Sequence, residues 1–384
     1  MSERRPIVDL TDAEARRALV LKWGTVPDDV IPAWVAEMDY ALDPVVHEAL
    51  ARAVRDGVTG YPVFGYTPEL AEAYAAFADR HYGASVAPEW VLPVVDVTAG
   101  VRVAIDVLSE DAPVVFLVPG YSPQLDVSQL TGRARVDVVL DPDAARAEVD
   151  LDRLDALFAD GARTLLLTQP HNPWGRAFSR AELEGIRDVV LRHRARVVSD
   201  EIHAPLVLPG ASHTSYLDLD GVHDHAVAVV AASKAFNTAG LRCAQLVVPS
   251  AVDRAALAAA PMARNDSWSP LGVVAAVAAY GDGDAWLASL VERLDQLRTR
   301  LGVLLTEQLP DVRMRPLEAT YLVWLDVRAY GHDDPAAVAL ERGRVKLGPG
   351  HDYAPGLAGH VRLNLATSPD RLTEIVRRLA TAWI

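Results

Sequence analysis

The sequence predicts an α/β fold, with a mainly parallel seven-stranded sheet that carries helices on both faces and a smaller α+β domain beside it. Three observations support this prediction. The chain has 384 residues, more than a typical domain of about 150 residues needs. Between residues 91 and 248, short β-branched segments alternate with amphipathic ones. After a long helical segment that begins at Asp284, the pattern changes to fewer strands and a final helix.

Seven segments of the first region have the composition of buried strands. Most of them are apolar without polar alternation, which indicates burial on both faces and therefore a parallel sheet covered by helices. In chain order, the segments are 91–96, 113–118, 135–140, 164–168, 196–199, 226–232 and 244–248.

Several helices are marked by their first residues. Ser179 followed by Glu182 forms a capping box in front of an amphipathic segment. Thr67 followed by Pro68 supplies an N-cap and a proline at the first helical position. The leucines that follow Asp284 keep helical spacing for roughly 25 residues, which is long enough to bridge two domains.

The remainder of the chain predicts a second, smaller unit. Segments 321–327 and 361–365 read as strands, and Ser368 caps a final amphipathic helix. No internal repeat or glycine/serine-rich linker separates the units. We therefore predict three parts: an N-terminal arm 1–45 that belongs to the small domain, a large domain 46–284 and a small C-terminal domain 285–384.

Charge and composition exclude several classes of partner. The chain has 37 Lys and Arg residues against 52 Asp and Glu residues, a formal net charge of −15. Nucleic-acid binding needs a basic face that displaces counterions, so we expect no nucleic acid and no anionic membrane as partner. The single Cys243 allows no intrachain disulfide and no cysteine-based zinc site, and we expect no metal. Because the sequence has neither a signal-type start nor the ~20 apolar residues of a membrane span, we expect a cytoplasmic protein.

Lysine is scarce in this chain. Only Lys22, Lys234 and Lys346 occur, so arginine supplies the other 34 of the 37 cationic residues. A chain that uses arginine almost everywhere keeps lysine where a primary amine is required, for example as a nucleophile. Skewed codon usage that leaves three unselected lysines would produce the same ratio, so composition alone does not decide.

Three polar side chains follow strands of the predicted sheet at their carboxyl ends, where open α/β sheets bind ligands. Asn172 follows the fourth strand, Asp200 the fifth and Lys234 the sixth. These residue types suit pyridoxal 5′-phosphate, because the lysine can form a Schiff base with the aldehyde and the acid can keep the pyridine nitrogen protonated. The amide can donate to the ring oxygen. We therefore predict a pyridoxal 5′-phosphate site.

Six short motifs occur along the chain in a familiar order. They are W-V-A-E-M-D at 34–39, F-G-Y at 64–66, P-H-N-P-W-G-R at 170–176, S-D-E-I-H at 199–203, S-K-A-F-N at 233–237 and V-R-L-N at 361–364. With them the chain resembles the fold-type I pyridoxal-phosphate enzymes of the class I/II aminotransferase superfamily. Within that superfamily it is similar to the MalY/PatB-type cystathionine β-lyases, which are carbon-sulfur lyases. The resemblance spans nearly the whole chain.

The resemblance implies roles for the residues around the cofactor ring. Lys234 matches the Schiff-base lysine, Asp200 the partner of the pyridine nitrogen and Asn172 the contact of the ring oxygen. Tyr121 matches the aromatic residue stacked on the ring, and His203 lies near the place where many aminotransferases have a tyrosine. We expect Lys234, Tyr121 and Asp200 to be catalytic.

The resemblance also implies how the substrate and a second subunit take part. Arg362 matches the residue that clamps the α-carboxylate of an amino-acid substrate, and a planar guanidinium is well shaped for that contact. Asn172 and Tyr121 are expected beside it. Tyr66 matches a tyrosine that reaches the cofactor phosphate of the neighbouring subunit, which implies a homodimer with shared active sites.

The resemblance further implies that two segments hold the cofactor phosphate. One is the pair of backbone amides of Val101 and Arg102, where a helix is predicted to start after Gly100, since helix N-termini bind anions. The other consists of Ser233 and Arg242.

The function that these residues imply is β-elimination from an S-substituted L-cysteine such as cystathionine, giving a thiol, pyruvate and ammonia. An aminotransferase shares the early steps and stays open as an alternative, as does a tailoring enzyme of secondary metabolism that acts on a cysteine S-conjugate. A non-enzymatic regulator with this fold would need a DNA-binding segment, and the net charge argues against one.

Overall fold

The structure is a computed structural model that describes residues 4–384, so residues 1–3 of the predicted arm lie outside the described part of the chain. Its helices are α1 (Asp12–Ala18), α2 (Pro44–Arg55), α3 (Pro68–Tyr82), α4 (Val97–Leu108), α5 (Ser122–Leu125), α6 (Val127–Leu130), α7 (Leu151–Ala159), α8 (Arg180–His193), α9 (Ala251–Ala259), α10 (Pro270–Asp282), α11 (Asp284–Gln308), α12 (Pro335–Glu341) and α13 (Pro369–Trp383).

The strands between these helices include all seven that the sequence predicts for the large region, with ends that differ by two residues at most. They are β1 (Ile31–Pro32), β2 (Val91–Val94), β3 (Val114–Val118), β4 (Arg135–Val139), β5 (Thr164–Thr168), β6 (Arg196–Asp200), β7 (Ala226–Val230), β8 (Ala244–Val247), β9 (Arg313–Met314), β10 (Leu322–Asp326), β11 (Val345–Lys346), β12 (Gly348–Pro349) and β13 (His360–Asn364).

Seven of these strands form one sheet, in the order β2-β8-β7-β6-β5-β3-β4. The neighbours from β7 to β4 pair in parallel, whereas β8 is antiparallel to both β7 and β2. The prediction of a mainly parallel seven-stranded sheet is therefore confirmed.

The sheet is covered on both faces, as its apolar strands predict. In β5, Leu165 and Leu167 pack into one hydrophobic cluster, whereas Leu166 between them packs into the other. The first cluster also contains residues of α7, α8 and α10, and the second contains residues of α4. Because successive side chains of a strand point to opposite faces, the sheet lies between two helical layers.

A second group of strands lies outside this sheet. Strands β12, β13, β10 and β9 form a four-stranded antiparallel sheet, and the N-terminal β1 pairs in parallel with the C-terminal β11. We propose the division into an arm 1–45, a large domain 46–284 and a small domain 285–384. The β1–β11 pairing supports the assignment of the arm to the small domain.

The helix starts follow the residues that mark them in the sequence. Ser179 and Glu182 form both hydrogen bonds of the capping box at the start of α8. Thr67 is the N-cap of α3, although its side chain makes no capping hydrogen bond. Helix α11 begins at Asp284 and has 25 residues. Across residues 4–384, every helix is too short or too polar to cross a membrane.

Candidate active site

A cavity of about 580 Å³ lies beyond the carboxyl ends of β5, β6 and β7, which is where α/β sheets bind ligands. Its volume is in the range of small-molecule and cofactor sites. A larger and more open groove of about 700 Å³ lies elsewhere, along α11, but none of the predicted site residues lines it. The cavity at the strand ends is therefore the better candidate.

The cavity brings together most of the residues that the sequence singles out. Eight of the predicted site residues line it, and they come from segments that are far apart in the chain. They are Tyr121, Asn172, Asp200, His203, Ser233, Lys234, Arg242 and Arg362. Three others, Tyr66, Val101 and Arg102, do not line it.

The prediction that a helix starts after Gly100, which is the basis for expecting anion-binding amides at Val101 and Arg102, is wrong by about one helical turn. Helix α4 begins at Val97, because the side chain of Asp96 accepts the Ala99 amide at 2.8 Å and caps the helix there. Val101 is therefore buried inside the helix and the Arg102 side chain is exposed.

The first turn of α4 forms the cavity wall instead. Asp96, Val97 and Thr98 line the cavity together with Ser233 and Arg242. The first amides of a helix have no acceptor within it, so those of Val97 and Thr98 are suited to an anion. The side chains of Asp96 and Arg242 form an ion pair at this end of the cavity.

Lys234 follows β7 and is half-buried. Its Nζ donates to the backbone carbonyl of Ala36 at 3.2 Å. Burial and the positive charge of Arg362 lower the pKa of Lys234 to about 8, against the opposing effect of the Glu37 and Asp200 carboxylates. A primary amine with this pKa is partly neutral near pH 7 and can act as a nucleophile or a base.

Asp200 is the last residue of β6 and is 3% exposed. Its carboxylate accepts a hydrogen bond from Gln124 Nε2 at 2.5 Å and another from the Ile202 amide at 3.0 Å. Burial nevertheless raises the pKa of Asp200 to about 6. A cationic partner in the cavity would offset that desolvation, since an opposite charge favours the ionised carboxylate.

Gln124 also lines the cavity, although the sequence did not predict it there. Gln124 is 2% exposed and lies in the short helix α5, three residues after Tyr121. Tyr121 itself stays neutral, because burial raises the pKa of its phenol. The local sequence, Ser-Pro-Gln-Leu, gives no signal of this contact, although a buried amide needs a partner.

Arg362 lies in β13 and is 5% exposed. Its guanidinium donates to Asn172 Oδ1 at 3.1 Å and to the Trp34 carbonyl at 2.8 Å, and it lies 4.9 Å from the ring centre of Tyr353. Its Nε is buried and has no hydrogen-bond partner within residues 4–384. Held in this way, the guanidinium keeps donor capacity for a carboxylate in the cavity.

His203 is buried and neutral. Burial and the positive charges of Lys234 and Arg362 lower its pKa to about 3. Its Nδ1 has no partner among the described residues. A neutral imidazole offers one donor and one acceptor to a ligand beside it.

The segment 34–39 forms another wall of the cavity, which the sequence did not predict. Its backbone carbonyls accept hydrogen bonds from Lys234, Arg362 and Asn364. Lys22 Nζ donates to the Glu37 carbonyl at 3.0 Å. No local pattern could reveal these contacts, because they join parts of the chain that are up to 329 residues apart.

A lysine and a carboxylate at the carboxyl edge of an α/β sheet, with an arginine of the smaller antiparallel sheet lining the same cavity, define a class of protein that binds a small molecule covalently or through its charges. The chain belongs to the aminotransferase class I and II family, which it matches over residues 25–379. The predicted fold class and family are therefore confirmed.

Several curated proteins and solved structures are similar to the chain over almost its whole length. Cystathionine beta-lyase of Corynebacterium glutamicum is 34% identical, with 96% of this chain and 98% of that protein covered. Cystathionine beta-lyase PatB of Bacillus subtilis is also 34% identical, with 92% of each covered. Cystalysin of Treponema denticola, whose crystal structure contains pyridoxal 5′-phosphate, has a TM-score of 0.91 at 25% identity, with 98% of each chain covered.

Proposed function

We propose that the chain is a pyridoxal 5′-phosphate-dependent carbon-sulfur lyase that catalyses β-elimination from an S-substituted L-cysteine of the cystathionine type. The observation that carries the proposal is the cavity, which joins the amine of Lys234, the carboxylate of Asp200 and the guanidinium of Arg362. The relatives named cystathionine beta-lyase support the same reaction, since they match at least 92% of the chain.

The donor set of the cavity fits the cofactor. Lys234 supplies a partly neutral amine for the aldehyde, and the buried Asp200 supplies an acceptor whose desolvation a protonated ring nitrogen would offset. Asn172 would contact the ring oxygen and Tyr121 the ring face, with His203 on the same wall. Each of these residues lines the same cavity, so all of them could contact one ligand without a rearrangement of the fold.

The phosphate of the cofactor would lie at the other end of the cavity. Ser233, Arg242 and the first amides of α4, those of Val97 and Thr98, are the donors there. This replaces the amides of Val101 and Arg102, which are inside the helix.

When bound, pyridoxal 5′-phosphate acts as an electron sink for negative charge at the substrate α-carbon. Arg362 holds the α-carboxylate and so orients the Cα–H bond toward the amine of Lys234. The neutral amine of Lys234 takes the α-proton, the Cβ–S bond breaks, and the protonated amine can return a proton to the leaving sulfur. Aminoacrylate is released and hydrolyses to pyruvate and ammonia.

A free carboxylate in the cavity favours a cystathionine-like leaving group over a simple alkyl thiol. Glu37 lines the cavity, and its Oε2 is buried with no hydrogen-bond partner in the described part of the chain. The distal ammonium of a cystathionine-type substrate would supply that partner, because a buried charge is stabilised by an opposite one. Glu37→Gln should therefore raise KM for cystathionine more than KM for S-methylcysteine.

A homodimer with shared active sites is part of the proposal. The segment that leads into α3 exposes four large apolar or aromatic side chains, with Tyr61 91%, Val63 67%, Phe64 45% and Tyr66 42% exposed. The ring centres of Tyr61 and Phe64 lie 6.3 Å apart, and a cluster of exposed apolar side chains is typical of an interaction surface. Tyr66 would then reach the phosphate of the partner's site, and Tyr66→Phe should weaken cofactor binding without changing a dimeric mass measured by light scattering.

We also propose a cytoplasmic location, which the single free cysteine, Cys243, supports because secreted proteins more often use paired cysteines. Its thiol is buried, and burial raises its pKa to about 12. Cell fractionation tests this location.

Absorption and product analysis test the proposed reaction. The purified protein should absorb in the visible region through a lysine-linked cofactor, and Lys234→Ala should abolish that absorption. Lys346→Ala, which removes another of the three lysines, is the matched control and should keep it.

Incubation with cystathionine should then release pyruvate and a thiol in equal amounts with no keto acid added. Turnover that requires a keto-acid acceptor would identify an aminotransferase instead. A protein that takes up no pyridoxal 5′-phosphate would contradict the proposal as a whole.

A further inference from the structure

Asp96 places a carboxylate among groups that are suited to bind an anion. Its Oδ1 accepts the Ala99 amide at 2.8 Å, and its Oδ2 forms the ion pair with Arg242. The Asp96 side chain is 32% exposed and that of Arg242 is 60% exposed, so the pair lies at the rim and not in the core.

The surroundings of this ion pair are the donors that the proposed function assigns to the cofactor phosphate. Val97 and Thr98 open α4 immediately after Asp96, and Ser233 lies on the same wall of the cavity. The Asp96 carboxylate therefore uses one donor, Arg242, that a phosphate at this end of the cavity would also use, and it places a negative charge beside the free amides of Val97 and Thr98.

We propose that Asp96 is a built-in competitor of the cofactor phosphate, and that it lowers the affinity of the protein for pyridoxal 5′-phosphate. This inference rests on the proposed function for the identity of the ligand. A carboxylate and a phosphate carry charge of the same sign, so they cannot share one guanidinium and one helix N-terminus without repulsion. Binding of the phosphate must displace the carboxylate from Arg242 or tolerate its charge nearby.

A competitor at this position has a consequence for how the protein exchanges its cofactor. When the phosphate leaves, the Asp96 carboxylate can pair with Arg242 in its place. This lowers the free energy that is needed to release the cofactor. The protein would thus exchange pyridoxal 5′-phosphate with free cofactor in solution more readily than a protein whose phosphate site has donors but no carboxylate.

Asp96→Asn separates this role from the capping role, because asparagine caps helices about as well as aspartate but carries no charge. We expect the dissociation constant for pyridoxal 5′-phosphate to fall about tenfold, the size of effect that removal of a close like charge produces. It is measured by titrating cofactor-depleted protein and following the visible absorption. The unfolding temperature should stay close to that of the unchanged protein.

Asp150→Asn is the matched control, since Asp150 caps α7 through the Arg153 amide at 2.9 Å and does not line the cavity. It should leave the dissociation constant unchanged. An Asp96→Asn protein that binds the cofactor equally well or more weakly would overturn the inference, because Asp96 would then orient Arg242 toward the phosphate and not compete with it.

Inorganic phosphate keeps the test independent of the proposed function. In a Lys234→Ala background, calorimetry should show tighter phosphate binding after Asp96→Asn, and unchanged or weaker binding contradicts the inference. If no variant forms the visible chromophore but phosphate binding tightens, the proposed cofactor chemistry fails and the role of Asp96 as an anion competitor stands.

Discussion

All three lysines of this chain contact the same short segment, residues 34–39. Lys234 donates to a carbonyl of that segment, and Lys22 donates to another. Lys346 places its ammonium 3.9 Å from the ring centre of Trp34. Skewed codon usage gives no reason for this convergence, whereas a flexible stem with a compact charge suits each of the three contacts. The three lysines therefore converge on one segment that borders the site.

The lowered pKa of Lys234 predicts how cofactor uptake depends on pH. Only the neutral amine attacks an aldehyde, and burial shifts the pKa of Lys234 to about 8. The neutral fraction reaches one half at that pH and approaches one above it. The rate at which the visible chromophore forms from cofactor-depleted protein should therefore rise with pH and level off above about 8. A rate that is still rising steeply at pH 10 would show an unshifted lysine.

At the level of elements, the start of α4 depends on packing as much as on sequence. A Cβ added to Gly100 would lie 2.7 Å from Val229 Cγ1 and 3.0 Å from Val94 Cγ2. Gly100 therefore lets α4 approach the sheet closely, and it does not mark the first turn of the helix. The cap of Asp96 determines where the helix begins.

Gly100→Ala should destabilise the protein by about 1–3 kcal/mol, the usual cost of overpacking a core. Gly302→Ala is the matched control, because Gly302 lies in α11 with no atom within 4 Å of its added Cβ. That substitution should stabilise the protein by about 0.5–1 kcal/mol through better helix propensity. Urea unfolding measures both. If Gly100→Ala instead raised the free energy of unfolding and Gly302→Ala lowered it, the close contact between Gly100 and the sheet would be refuted.

The segment 34–39 depends on a buried ion pair for its position. Lys22 and Asp39 are each 1% exposed, with 2.8 Å between Nζ and Oδ1. Asp39 also accepts from Trp23 Nε1 at 2.7 Å. Burial lowers the pKa of Lys22 even though Asp39 opposes that shift, so desolvation of the ammonium outweighs the favourable effect of Asp39 on its protonation.

Lys22→Met should lower the free energy of unfolding by about 3 kcal/mol, because it leaves the Asp39 carboxylate buried with one cationic partner fewer. It should also raise KM for the amino-acid substrate more than it lowers kcat, since the carbonyl of Trp34 holds Arg362. Lys346→Met removes only a cation–π contact and should cost about 1 kcal/mol or less. If the free energy of unfolding, KM and kcat of Lys22→Met matched those of the unchanged protein, a positioning role for Lys22 would be contradicted.

Across the whole molecule, the sequence predicts the sheet better than it predicts the walls of the cavity. Strands such as β5 and β7 are apolar on both faces, and burial alone produces that pattern, so their positions follow from local composition. The same holds for Asn172, Asp200 and Lys234, because a parallel sheet brings the ends of its strands together.

What the sequence did not reveal depends on contacts between distant parts of the chain. The carbonyls of residues 34–39 reach the site because β1 pairs with β11, more than 300 residues later. Gln124 in α5 donates a hydrogen bond to Asp200 at the end of β6. Neither contact leaves a periodic signal in the sequence, since each involves single residues and not a repeating face.

The most direct test of the account is to locate the cofactor on the chain. Reduction of the purified protein with borohydride should fix pyridoxal 5′-phosphate to its lysine, and peptide mass mapping should find the added mass on Lys234 alone. With only three lysines in the chain, the assignment is unambiguous. A modification on Lys22 or Lys346, or none on any lysine, would contradict the account.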